Sequence, residues 1–248
     1  MTADSPSGPV VILTAMPDEA SAVRASLAEP IEQIDSGTRT YERGLFRGHD
    51  VVVAVSRCGK VAAASMTADA IVRFSPSAVL FTGVAGGIGP EVAVGDVVVA
   101  DRLIQHDLDP RPLWPRHVVP LLEVSEFPTC ERWTAALSAA AEAFATSDGS
   151  KSHTGLVVSG DQFIHDREHA GAILDALPAA LCVEMEGAAA AQVAYEYAVP
   201  FALVRSISDR ADADAPSTFL DSLGSFAASH SLAILEMAFD MMAVGADR

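Results

Sequence analysis

The chain has 248 residues, half of them hydrophobic and only 6% aromatic, which suits one α/β domain with an aliphatic core rather than a disordered chain. Its 33 acids against 16 bases give a formal charge of −17, a field that repels phosphate backbones and anionic lipid and argues against nucleic-acid or membrane partners. Cys58, Cys130 and Cys182 are too few and too dispersed for a metal or disulfide framework, no basic-then-apolar leader is visible and no apolar run spans a bilayer, so a cytoplasmic chain is expected.

Residues 1–8 read as a flexible tail. Val10–Thr14 is a short apolar strand, followed by a helix over 20–27. Strands over 40–46 and 51–56 flank the turn-rich Arg47-Gly48-His49-Asp50 and read as a hairpin. A helix follows over 61–74, then strands over 78–82 and 96–103. Residues 107–121 hold Pro110, Pro112, Pro115 and Pro120, which rules out a regular helix and suggests a functional loop or an interface. Beyond it the pattern predicts a helix over 131–144, a strand over 154–159, a helix capped by Asp166 and running to about 177, and a strand over 181–185. A helix over 187–197, a strand over 201–206 and one long helix over 217–242 complete the chain. Such alternation predicts a single domain over 1–248, with three α/β/α layers and a mostly parallel mixed sheet flanked by helices.

Two strand ends carry most of the chemistry. The run ending Val183-Glu184-Met185-Glu186 and the run ending Arg205-Ser206-Ile207-Ser208-Asp209 both deliver acids to the C-terminal end of a strand, where open parallel sheets bind ligands. Beside them Gly83-Val84-Ala85-Gly86-Gly87 reads as a Gly-rich turn that allows a ligand to approach the backbone. Taken singly, each residue has an ordinary structural account. Glu19 suits the first turn of a helix, Glu186 and Asp209 suit caps or ion pairs, Arg205 suits a pairing with Glu184 or Glu186, and Phe163 suits a core. His165-Asp166-Arg167-Glu168-His169 fits a zinc pattern, but it opens an amphipathic helix with no evident third ligand, and no metal is expected.

Together these residues resemble the purine nucleoside phosphorylase superfamily, in its methylthioadenosine/S-adenosylhomocysteine nucleosidase branch. The resemblance runs from about Val10 to Met242 through Ala15-Met16 and its following acids, Gly83–Gly87, Pro90, Val94-Gly95-Asp96, His106-Asp107, Ser159-Gly160-Asp161-Gln162-Phe163-Ile164, Glu184-Met185-Glu186 and Ser208-Asp209. It implies a cofactor-free, homodimeric hydrolase that releases adenine from a 5′-substituted adenosine. In that scheme Asp209, oriented by Ser208, protonates the purine, and Glu19 activates water. Glu186 accepts the ribose hydroxyls above Met185, and Phe163 and the Ile164 backbone hold the base. Phe219, Met16 and Cys58 line the 5′ pocket.

Val84 departs from the family's Ser, which shifts water placement onto Glu19 and Arg205. By the same resemblance, the loop with Arg111, Leu113, Trp114, Arg116 and His117 closes a neighbour's pocket across the dimer, where its bases meet a carboxylate on a longer 5′ substituent or else are solvated. A phosphorylase needs an arginine clamp beside the Gly-rich segment, and residues 81–90 contain no base. Arg43 and Arg57 do not match that pattern, so water is the expected nucleophile. A futalosine-type nucleosidase on the same scaffold and a non-catalytic nucleoside-binding protein are the alternatives.

Overall fold

Five consecutive aliphatic or β-branched residues, Val10–Thr14 (β1), are all buried, so this strand needs cover on both faces and lies inside a sheet. In the computed structural model, which describes residues 8–225 and 227–244, it is followed by α1 (Pro17–Ala25), β2 (Ala28–Ser36), β3 (Arg39–Phe46), β4 (His49–Val55), α2 (Lys60–Phe74) and β5 (Ala78–Gly87). Next come β6 (Val97–Gln105), β7 (Phe127–Pro128), α3 (Glu131–Asp148), β8 (Ser152–Ser159) and α4 (Arg167–Ala176). The chain continues as β9 (Ala180–Glu184), α5 (Gly187–Glu196), β10 (Phe201–Asp209), α6 (Ala215–Ser225) and α7 (Ala227–Val244).

The sheet is mixed. β2, β3 and β4 are antiparallel, while β4, β1, β5 and β10 run parallel. β5 then pairs with β9 as well as with β10, and β10 reaches β9 through β6 and β8. This half of the sheet therefore closes on itself, with β5 as the strand common to both halves. Alternate residues of β1 face opposite layers: Val11 and Leu13 pack with Met66, Ala190 and Ala194 of α2 and α5, whereas Val10 and Ile12 pack with Ala20, Leu137 and Phe239 of α1, α3 and α7. Fully burying an aliphatic or aromatic side chain of this kind contributes about 1.5–3 kcal/mol.

The structure corrects the sequence reading at two places. Gly83–Gly87 is no turn but the continuation of β5, fully buried and laddered to β10 and β9. β2 was not anticipated: Ala-Glu-Pro-Ile-Glu-Gln-Ile-Asp-Ser is mostly exposed, and an edge strand with acids and a proline shows no apolar alternation to read. The helix expected over 217–242 is described as α6 and α7, with Phe226 between them outside the described residues. The expected tail over 1–8 likewise falls outside them, except for Gly8. No helix among the described residues is long and apolar enough to cross a membrane.

Candidate active site

Pro17 opens α1 at its first helical position, where its missing N–H is no loss, and Glu19 two residues on turns its carboxylate back to the helix start. Its Oε2 accepts from the backbone N–H groups of Ala15 and Met16, both at 2.9 Å. Its Oε1 accepts from Val84 N at 3.1 Å. The helix therefore gains its cap from the same side chain that reaches β5. Burial pushes the Glu19 carboxyl above its ordinary value, opposed by the charge of Arg205 and by those three N–H donors.

The glycines of β5 make room for this. Gly83 has φ +152°, and a Cβ there would stand 2.5 Å from Glu19 Oε1 and 2.8 Å from Arg205 Nη1. Three residues along, a Cβ on Gly86 would stand 2.9 Å from Asp209 Oδ1. Two carboxyl groups thus lie against one strand, at positions separated by about 10 Å of extended chain.

β10 runs parallel to β5, with Arg205 beside Gly83 and Ile207 beside Ala85, until the register shifts between Ile207 and Asp209. Plain alternation would send Ser208 and Asp209 to opposite faces. The bulge lets both line one cleft. Ser208 Oγ donates to Asp209 Oδ2 at 2.7 Å, and Ala211 N donates to Oδ1 at 2.8 Å. Those bonds favour the ionised form, yet burial dominates and raises the Asp209 carboxyl.

From β9, Glu184 receives the Ser159 hydroxyl and the Gly187 N–H at the start of α5, and takes Arg205 Nη2 at 2.5 Å. Glu186 is left facing the cleft. Its Oε1 accepts from Gly59 N at 2.8 Å, and burial followed by repulsion from Glu184 pushes its carboxyl up to about 8. The guanidinium of Arg205 sits 4.7 Å over the Phe81 ring. Its Nε and Nη1 have no hydrogen-bond partner among the described residues.

These groups surround a cleft of about 440 Å³, into which Met16, Cys58, Val84, Met185 and Phe219 also project. Phe163 is 40% exposed and meets Phe219 edge to face at 5.5 Å, so its ring is a free wall and not core. A smaller recess of about 240 Å³ continues the cleft past Asp209 to Ile164. The loop before Phe163 is tied down: Asp161 accepts from Lys60 N at 2.7 Å, and Asp107 accepts from Asp161 N at 2.9 Å while pairing with Lys60 Nζ at 2.6 Å.

Of the residues that the sequence reading placed in the chain's own site, all line the cleft or its recess save Arg205, which lies beneath it. Glu184, Gly59 and Asp161 were given no part in the site. Glu184 stood in the Glu-Met-Glu segment, but nothing local distinguishes it from Glu186. His165–His169 instead opens α4, with Asp166 as cap, accepting from His169 N at 2.9 Å. The loop bases Arg111, Arg116 and His117 do not line the cleft of their own chain; Arg111 is held by Asp109 at 2.5 Å.

The family model of the phosphorylase superfamily matches residues 9–237, and the chain belongs to that superfamily. It is 35% identical over 233 residues to the 5′-methylthioadenosine/S-adenosylhomocysteine nucleosidase of Tolumonas auensis, covering 91% of this chain and 96% of that one. It is 33% identical over 214 residues to the aminodeoxyfutalosine nucleosidase of Helicobacter pylori, covering 84% and 88%. Its structure superposes with a TM-score of 0.87, at 33% identity and over 93% of this chain and 97% of the other, on the 5′-methylthioadenosine/S-adenosylhomocysteine nucleosidase of Neisseria meningitidis in complex with methylthio-immucillin-A.

Proposed function

We propose that this chain hydrolyses the N-glycosidic bond of 5′-substituted adenosines such as methylthioadenosine and S-adenosylhomocysteine, releasing adenine and the substituted ribose. The observation that carries this reading is the placement of two raised carboxyls, Glu19 and Asp209, against Gly83 and Gly86 of one strand, with Glu186 facing the cleft they share.

Adenine leaves poorly as an anion, so the reaction needs a proton at the base. Burial raises the Asp209 carboxyl and so favours its protonated form, and the Ser208 and Ala211 donors stabilise the carboxylate that remains after transfer. Phe163 offers a face for the purine, and the recess at Ile164 takes its edge. Glu186 accepts from the ribose hydroxyls, with Met185 below the sugar. At the other end Glu19, strengthened as a base by burial, takes a proton from water, and the unpartnered Nη1 of Arg205 helps hold that water. Attack on the sugar face opposite the departing base parallels inverting glycosidases, whose carboxyls stand about 6.5–9.5 Å apart.

Phosphorolysis is disfavoured because residues 81–90, which hold the Gly-rich end of β5, contain no base. A futalosine-type substrate remains the second reading, supported by the Helicobacter relative. Adenine release from a panel of 5′-substituted adenosines, with and without phosphate, tests both. Free sugar as product, independent of phosphate, is expected; ribose 1-phosphate as main product would overturn hydrolysis.

We further propose a homodimer in the cytoplasm. Leu113 and Leu121 are 79% and 85% exposed in the Pro-rich loop, apolar surface that a second copy would cover. The three free cysteines suit a reducing compartment. Sedimentation as a fully active monomer would refute the dimer.

A further inference from the structure

The cleft has two extensions. One passes Asp209 and Phe163 to Ile164 and serves the base. The other leaves between Ala15, Met16 and Cys58 and opens into a groove of about 860 Å³ that carries Arg24, Arg39 and Arg57. On the nucleosidase reading, which puts the base against Phe163 and the 5′ group against Met16 and Cys58, the 5′ substituent points toward the second.

This groove is basic in a chain of charge −17, where surface arginines are commonly neutralised: Arg43, Arg47 and Arg111 each hold an aspartate at 2.5–2.6 Å. Arg39 and Arg57 do not. Arg57 Nη2 donates to the Thr38 carbonyl and hydroxyl at 2.7 and 3.0 Å, and Arg39 Nη2 donates to Ser65 Oγ at 2.8 Å. Among the described residues neither has a carboxylate within ion-pair distance. Arg24 meets Glu42 through Nε at 3.1 Å. The backbone at Arg57 is left-handed, φ +73°, a conformation that disfavours side chains and persists where neighbours hold it. Here the bond to Thr38 and the Ser56 hydroxyl on the Arg57 carbonyl, at 2.8 Å, hold that turn beside Cys58.

We infer that this groove is a subsite for a carboxylate carried on the 5′ substituent, with Arg57 and Arg39 as its ligands. The inference rests on the nucleosidase reading. It relocates the charge recognition expected of Arg111 and Arg116, the first of which is already paired within its own loop.

The test compares 5′-(3-carboxypropylthio)-5′-deoxyadenosine with its carboxamide, which has the same shape and no charge. Wild type is expected to favour the acid in kcat/KM by about tenfold or more, as charge-assisted hydrogen bonds to guanidinium allow. In R57Q and R39Q the ratio should fall toward one, R57K should keep part of it, and salt should reduce it in wild type. Because both substrates meet the same enzyme preparation, the ratio is unaffected by any fraction that fails to fold. A wild-type ratio near one, or a ratio unchanged in both variants, overturns the subsite. Phosphate-dependent formation of ribose 1-phosphate that is lost in R57Q would assign the arginines to a free anion and overturn it too. If wild type releases adenine from neither compound, the nucleosidase reading falls. The subsite is then decided by the ratio of their Kd values on wild type, measured by calorimetry.

Discussion

Arg205 gives its Nη2 to Glu184 at 2.5 Å, whereas Glu186 stands 3.8 Å from the same nitrogen. Of two acids separated by one residue, one is consumed in a buried pair and the other is left for the cleft. The pair is almost fully withdrawn from solvent, and removing one partner of such a pair costs about 3–5 kcal/mol because the other charge stays buried. Glu184 also holds the first turn of α5 through Gly187 N, so the charge that anchors Arg205 anchors the helix behind Glu186 as well.

D209N should cut adenine release sharply while leaving the fold intact, since an amide N–H is too weak an acid to protonate the leaving purine, while its oxygen still accepts. A loss on the order of a hundredfold to ten-thousandfold is expected. Steady-state rates together with circular dichroism check this, and near-wild-type turnover would dismiss Asp209 as the acid.

E19Q should remove hydrolysis and spare binding. Glutamine keeps a carbonyl oxygen for the Ala15 and Met16 N–H groups that start α1, but it cannot take a proton from water. Calorimetry with a nonhydrolysable nucleoside separates the two effects. Lost binding with an intact chemical step would contradict the role.

G83A should damage both stability and activity. Its Cβ would meet Glu19 Oε1 at 2.5 Å and Arg205 Nη1 at 2.8 Å in a backbone conformation that alanine rarely adopts. Overpacking and backbone strain together predict a loss of about 2–5 kcal/mol. Denaturant unfolding measures it, and a variant as stable as wild type would show that the strand can shift aside.

Glu186 makes stability depend on pH in a definite sense. Its folded carboxyl is raised from 4.5 to about 8, so between those values the folded state holds more protons than the unfolded one, and stability falls as pH rises. His106 and His117, lowered by burial, act oppositely below about pH 6.5. The clean measurement is therefore the difference between wild type and E186Q. Thermal midpoints from pH 5 to 9 should fall more steeply in wild type up to about pH 8 and run parallel above it. Parallel curves throughout would show that Glu186 is ionised in the empty cleft.

The local sequence sufficed for the strand-and-helix order apart from β2 and β7, for the strand ends that carry the site, and for the acids Glu19, Glu186 and Asp209. Hydrophobic runs, their punctuation and ordered short motifs are local properties, and the residues they single out do gather at one cleft. The five glycine-rich residues 83–87 misled because glycine marks both turns and close approach. Only the partners on β9, β10 and α1 show that close approach is the reason here. Edge strand β2 stayed hidden because an exposed strand has no apolar period.

Tertiary structure alone decided which acid pairs with Arg205, how a bulge brings Ser208 and Asp209 to one side, and that Gly59 steadies Glu186 from 127 residues away. It also decided that Arg39 and Arg57 face a groove continuous with the cleft. Each depends on distances between segments remote in the chain, and burial against those segments, rather than residue type, is what moves the carboxyls from their ordinary values.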